Sequence, residues 1–126
     1  MSKLAQGFQE LELYQESFRF QQEIFRMSKQ LPAEERFSLT DQIRRSSRSI
    51  GANIAESWAK RRYPAHFLSK LTDADGELQE TCHWIRSAVA CGYWSEHDAK
   101  KLADHASVVG RLLGSTINNY ESFCTH

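Results

Sequence analysis

The sequence is poor in proline and cysteine and carries no net charge. Only two prolines, Pro32 and Pro64, interrupt its 126 residues, so long stretches are free to form helices. Sixteen basic residues balance sixteen acidic ones. This balance argues against a dedicated nucleic-acid coat protein or a polybasic membrane binder, although it leaves room for a local basic patch.

The few cysteines and the short apolar runs indicate where the protein resides. Cys82, Cys91 and Cys124 form no close pair, so we expect free thiols in a reducing compartment. No apolar run approaches the roughly 20 residues of a membrane helix. The start of the chain also lacks the apolar core of a secretory signal. These features predict a cytoplasmic protein that does not enter the membrane.

Motifs for catalysis or metal binding are missing as well. The sequence contains no Gly-rich phosphate loop, no GxSxG and no zinc-ligand spacing. Asp73 and Asp75 resemble part of a calcium loop, but on a helix their side chains would point apart. Cys82 and His83 are adjacent and therefore diverge by about 100° on a helix. We predict a non-enzymatic protein with no catalytic residues, no metal and no cofactor.

The sequence does show helical periodicity in four successive segments. The predicted helices run over about Glu10–Leu31, Pro32–Lys60, Ala65–Cys91 and from a Ser95 cap to about Tyr120. Because the links are short, the predicted fold is all-α, an up-down-up-down antiparallel four-helix bundle forming a single domain over residues 1–126. We expect residues 1–9 to be a flexible segment. Gly110 and Gly114 share a face of the last helix, which predicts close packing within the chain.

The second and third helices each have a distinctive outer face. On the second, an apolar stripe from Ile43 to Trp58 lies opposite the unusually small residues Ser49 and Ala52. On the third, Trp84 projects away from the core stripe. An aromatic residue there favours contact with a second subunit, although it could instead lie along its own helix above Glu80. The predicted oligomer interface comprises Arg45, Ser49, Ala52, Glu56, Glu77, Glu80 and Trp84.

Basic residues cluster on the second helix and at its end. The candidate nucleic-acid-binding residues are Arg44, Arg45, Arg48, Lys60, Arg61 and Arg62. Phosphate binding requires such charges to be exposed on one side of the molecule. The alternative interpretation is a solvated face whose charges have local carboxylate partners, and the sequence leaves both interpretations open.

Several of these segments resemble one bacterial family, the four-helix-bundle proteins encoded by intervening sequences in 23S rRNA genes. The resemblance rests on Gln42–Arg45, Ser49–Glu56, Leu13–Gln15, Leu31–Pro32, Glu80–Ile85, Gly110–Leu113 and Ile117–Asn119. Many members carry Pro where this chain has Gly51, and Gly where it has Ser57. These departures concern helix geometry and leave the expected fold unchanged.

The resemblance implies a homopentamer with a central channel and no catalytic residues. A related protein, the accessory variability determinant of diversity-generating retroelements, binds nucleic acid and a reverse transcriptase. The functional hypothesis is therefore a non-enzymatic assembly that binds structured RNA or DNA, such as rRNA, weakly and without sequence preference, or binds a nucleic-acid-processing partner. The alternatives are a protein-interaction scaffold and a reverse-transcriptase accessory protein; the neutral charge argues against the latter.

Overall fold

The computed structural model describes residues 5–125 and shows the predicted four-helix bundle. The helices are α1 (Glu12–Ser28), α2 (Leu39–Ala59), α3 (Pro64–Ala90) and α4 (Glu96–Asn118). Short 3-10 turns occur at Phe8–Glu10, Ala33–Glu35 and Tyr120–Phe123, and no strand occurs within residues 5–125. Each helix packs on its neighbours in the chain, and α4 closes the bundle against α1.

The helix boundaries follow local sequence signals where those signals are strong. Pro64 is the first residue of α3, where its missing N–H costs nothing. Gly92 follows α3 with φ +79°, a conformation that favours glycine. The Ser95 hydroxyl accepts the amide of Asp98 at 3.1 Å and caps α4, as expected.

The prediction that the second helix begins at Pro32 was wrong. Residues Ala33–Glu35 form a separate 3-10 turn, and α2 begins only at Leu39. Glu35 Oε1 accepts hydrogen bonds from Ser38 Oγ at 2.6 Å and from the Leu39 amide at 3.3 Å. The carboxylate thus caps α2 from outside the helix. Because α2 begins only at Leu39, Arg36 and Phe37 lie in the link between the 3-10 turn and α2.

The core is built mainly from aliphatic side chains, with a few aromatic ones and with small hydroxyls between them. Phe20, Ile24, Ile43, Ile50 and Ile54 are completely buried. Trp58, at the end of the predicted apolar stripe of the second helix, is only partly buried. Further partly buried residues pack against the core, including Met27, Leu31, Cys82, Val89, Ile117 and Tyr120. The close packing predicted at Gly110 and Gly114 does not depend on glycine, since a Cβ at Gly110 would make an ordinary contact with Leu78 Cδ2 at 3.6 Å and a Cβ at Gly114 would meet nothing within 4 Å.

The connections are held at both ends of the bundle. At one end, Trp94 Nε1 donates to the Met27 carbonyl at 3.2 Å, and the Tyr93 hydroxyl donates to Glu35 Oε2 at 2.9 Å. At the other end, the Thr125 amide donates to the Arg61 carbonyl at 3.0 Å. Of the N-terminal segment, residues 1–4 lie outside the described residues, while Phe8 packs edge-on against the Tyr14 ring. Flexibility of residues 1–9 stays a prediction.

Candidate nucleic-acid interface

The structure separates the six predicted nucleic-acid-binding residues into three locations. Arg44 and Arg48 point toward α1, whereas Arg45 points toward α3. Lys60, Arg61 and Arg62 follow the last residue of α2. At a rise of 1.5 Å per residue, they lie about 20 Å further along the helix axis. The six residues therefore do not form one continuous surface.

Arg44 and Arg48 belong to a group that we call the Phe25 cluster, consisting of Phe25, Lys29, Arg44 and Arg48. The Phe25 ring centroid lies 4.9 Å from Lys29 Nζ, 4.9 Å from Arg44 Cζ and 5.5 Å from Arg48 Cζ. The four-residue spacing within each helix places both members of each pair on the face where α1 meets α2. Cation–π attraction holds the charges there without neutralising them.

The charges of the Phe25 cluster remain available to an anion. Among residues 5–125, no carboxylate forms an ion pair with Lys29, Arg44 or Arg48. Arg44 Nε donates to the Ser28 hydroxyl at 2.7 Å, which fixes its stem, while Arg48 and Lys29 are exposed. An oriented guanidinium with free N–H groups suits a phosphate oxygen.

Phe37 borders the same surface and was missed by the sequence analysis. Its side chain is 84% exposed, and the Arg36 guanidinium carbon lies 5.1 Å from the ring centroid. An open hollow of about 510 Å³ is lined by Arg36, Phe37, Thr40, Asp41, Arg44, Arg45 and Arg48. A signal was present in the sequence, because Phe37 falls on none of the helical core stripes.

Arg45 is neutralised within its own chain. Its guanidinium pairs with Glu77 Oε2 at 3.2 Å and also with Glu80. Glu80 Oε2 accepts Trp84 Nε1 at 3.0 Å. The hydrogen bond from Trp84, followed by that from Arg45, lowers the pKa of Glu80, while the hydrogen bond to Glu80 raises the pKa of Arg45. Of the two interpretations of the basic residues, phosphate binding or pairing with local carboxylates, the structure supports pairing for Arg45.

The predicted interface residues consequently form one α2–α3 surface in a single chain. Glu56 pairs with Lys70 of α3 at 2.9 Å. The opposite charges of the two helix faces therefore pair within the chain, without a second subunit. Ser49 is half-buried and Ala52 is exposed. Trp84 does not project away from the core as expected: it is half-buried against the core and lies along its own helix beside Glu80, which is the alternative placement. Their role in an oligomer interface stays a prediction.

The second basic group is partly immobilised. The Arg61 guanidinium lies 3.5 Å from the Trp58 ring centroid, and its Nε donates to the Trp58 carbonyl at 3.0 Å. Lys60 and Arg62 are exposed. Stacking covers one face of Arg61, as it does for Arg44 on Phe25. The two groups differ in their surroundings, because Arg61 shares a hollow with the carboxylates Glu10 and Glu12.

The described residues contain no cluster of metal ligands, and two of the three cysteines have thiols with a raised pKa. Among residues 5–125, no group of three or more His, Cys, Asp or Glu residues could hold a metal ion. Burial raises the pKa of the Cys82 thiol and of the Cys124 thiol, which disfavours the reactive thiolate. None of the helices described is long and apolar enough to cross a membrane.

Comparison with known proteins identifies the family. Residues 9–115 match the family described as 23S rRNA-intervening sequence protein. The chain belongs to this family. The fold is also similar to the 1.70 Å crystal structure of a protein of unknown function from the S23 ribosomal protein family, from Bacteroides thetaiotaomicron. Its sequence is 30% identical to that of this chain, and the two structures superpose with a TM-score of 0.75. The match covers 83% of this chain and 97% of the other.

The resemblance found in the sequence is thus confirmed, while the molecular function of the family is unknown. Neither the family description nor the neighbouring structure names an enzymatic activity. No curated protein matches the chain.

Proposed function

We propose that this chain is a non-enzymatic, homo-oligomeric protein that binds structured RNA or DNA through the Phe25 cluster. The observation that carries this proposal is the set of three cations around one aromatic ring, none of them paired with a carboxylate among residues 5–125. The family's link to an intervening sequence of 23S rRNA makes rRNA a reasonable first ligand.

The mode of binding follows from the charges. Cations that contact phosphates release condensed counterions, so affinity falls as salt rises. Zero net charge gives little long-range attraction, and therefore binding is weak and governed by this local patch. Phosphate contacts carry no sequence information, so we expect little preference among sequences.

Not all of the candidate cations contribute equally. Arg45 already pairs with Glu77 and Glu80, and displacing those partners would offset a new phosphate contact. Arg61 shares a hollow with Glu10 and Glu12, whose negative charges oppose a phosphate. The hollow lined by Arg44 and Arg48 also includes Arg36. We therefore assign the larger share of phosphate binding to Arg44 and Arg48, with Lys60, Arg61 and Arg62 as a secondary group at the far end.

A salt-titrated binding assay tests this assignment. We expect Arg44→Gln combined with Arg48→Gln to weaken binding of an rRNA hairpin at least tenfold at low salt. The slope of log K against log salt should fall by about 1.5 for the two lost contacts. Glutamine preserves much of the side-chain stem, and thermal melting monitors the fold.

Arg45→Gln is the matched control, since it removes an arginine from the adjacent position of the same helix. We expect it to leave RNA binding within twofold of wild type. Failure of the wild type to retain rRNA fragments or duplex DNA at low salt contradicts the proposed function. An equal loss in the Arg45 variant contradicts the assignment to the Phe25 cluster.

We also propose self-association through the α2–α3 surface. Trp84 is half-buried beside Glu80, and the small residues Ser49 and Ala52 allow another body to approach α2 closely. A contact between different surfaces on identical chains closes into a ring when the rotation permits. The family resemblance points to five subunits.

A second candidate function, a protein-interaction scaffold, is favoured by a groove between α3 and α4. The groove has a volume of about 800 Å³ and includes Cys82, Ile85, Val89, Ala99 and Ala103 among its lining residues. Apolar contacts there would be far less sensitive to salt than phosphate contacts. Partner binding that persists at high salt would favour the scaffold over the nucleic-acid binder.

A further inference from the structure

Phe37 is an unusual residue for a small helical protein. Its side chain is 84% exposed, compared with 44% for Phe18 and 55% for Tyr63, the other large apolar side chains exposed among the described residues. Nothing in the hydrophobic core requires it, because it lies in the link between the 3-10 turn and α2. Single exposed apolar residues are common on protein surfaces; what distinguishes Phe37 is that it shares a hollow with Arg36, Arg44 and Arg48.

The link that carries Phe37 is held in place on both sides. Glu35 accepts hydrogen bonds from Ser38, from the Leu39 amide and from the Tyr93 hydroxyl. These bonds connect the link to the start of α2 and to the α3–α4 connection. The ring is therefore presented by an organised backbone, which reduces the ordering cost of a contact made there.

The surroundings of Phe37 favour a ligand that is both aromatic and anionic. Within residues 5–125, Asp41 is the only carboxylate lining the hollow that Phe37 shares with Arg36, Arg44 and Arg48. An apolar protein partner would have to bury these arginines without compensation. A nucleotide matches both the aromatic ring and the arginine charges, because its base has a π face and its phosphate is negatively charged.

We propose that Phe37 stacks against an unpaired base of the nucleic acid whose phosphates contact the Phe25 cluster, an inference that rests on the proposed function. The ligand class is then single-stranded RNA or DNA, or the loop of a hairpin. Bases inside a duplex have both faces covered by their neighbours and cannot reach the ring. Arg36 lies over one face of the Phe37 ring, so the base stacks on the opposite face.

Binding of one labelled oligonucleotide, single-stranded and then paired in a blunt duplex, tests this role. We expect Phe37→Ala to weaken single-strand binding about tenfold and to change duplex binding less than twofold. The salt slope should be unchanged, because no phosphate contact is lost. Phe37→Trp should retain affinity and add fluorescence quenching on single-strand binding beyond that of wild type.

Tyr63→Ala is the control, since it removes an exposed aromatic ring at the opposite end of α2. It should leave single-strand binding unchanged. Equal affinity of Phe37→Ala and wild type for the single strand overturns the stacking role while leaving phosphate binding intact. Loss of self-association in Phe37→Ala, seen by light scattering without a change in RNA affinity, would make Phe37 a subunit contact instead. Absence of all nucleic-acid binding by wild type overturns the proposed function and the stacking role together.

Discussion

At the scale of single residues, one buried pair of hydroxyls ties the two most extensively packed helices together. Thr81 Oγ1 lies 2.8 Å from Ser46 Oγ and 2.8 Å from the Glu77 carbonyl oxygen. Both residues are fully buried, and no buried side-chain polar atom among residues 5–125 lacks a partner. Removing one hydroxyl of the pair therefore takes a partner from the other.

We predict that Thr81→Val lowers the free energy of unfolding by about 1–2 kcal/mol, because valine fills the same space but leaves the Ser46 hydroxyl with one partner fewer. Urea unfolding measures the change. Thr72→Val is the control on the same helix, since Thr72 is exposed, and it should cost less than about 0.5 kcal/mol. Equal costs at the two positions would contradict the role of the buried pair.

Adjacent arginines show what the sequence could and could not predict at this scale. Helical period predicted that Ile43, Ile50 and Ile54 are buried, because that pattern depends on the chain alone. It could not predict the partners of Arg44 and Arg45. Their directions differ by about 100°, so one reaches Phe25 of α1 and the other Glu77 of α3. Those partners depend on which helices flank α2.

At the scale of helices and links, the prediction was accurate where one local signal dominated and wrong where two competed. Pro64 and Ser95 fixed the starts of α3 and α4. Pro32 followed by two carboxylates is equally compatible with a helix start and with a 3-10 turn. The Glu35 hydrogen bonds to Ser38 and Leu39 decide for the turn, and they place Phe37 in the link.

The Tyr93–Glu35 hydrogen bond between two links predicts a pH dependence. The pKa of Tyr93 is raised to about 12, chiefly because its hydroxyl donates a hydrogen bond to the Glu35 carboxylate. A tyrosine in the unfolded chain titrates near 10. Because the folded state holds the proton more tightly, the stabilisation is complete below about pH 10 and is lost as pH rises toward about 12.

Glu35→Gln should return the Tyr93 titration toward its ordinary range, since the charged acceptor is removed. Alkaline ultraviolet difference titration of tyrosinate measures the shift, and Tyr93→Phe assigns the signal by abolishing it. The variant should also lose less stability than wild type across that alkaline window. A titration of Tyr93 that is identical in wild type and Glu35→Gln would show that the bond between the links is absent in solution.

At the scale of the whole molecule, the α2–α3 surface decides between a monomer and a ring. Its charges are already paired within the chain, so an interface there must depend on apolar contact by Trp84. We predict that purified wild type is oligomeric and that Trp84→Ala weakens each subunit contact by about 2 kcal/mol. Light scattering over a dilution series measures both. A monomeric wild type ends this proposal, and an unchanged oligomer in the variant removes Trp84 from the interface.

We propose that nucleic acid lies across the α1–α2 face, beside the Phe25 cluster and Phe37, and not on the other basic or aromatic surfaces. Photo-crosslinking of the wild type to a thiouridine-containing rRNA hairpin, followed by peptide mass spectrometry, locates the contact directly. We predict crosslinks at Phe37 and in the peptide containing Phe25. Crosslinks concentrated at Trp84, or at Trp58 and Tyr63, would place the nucleic acid on another surface and contradict binding at the α1–α2 face.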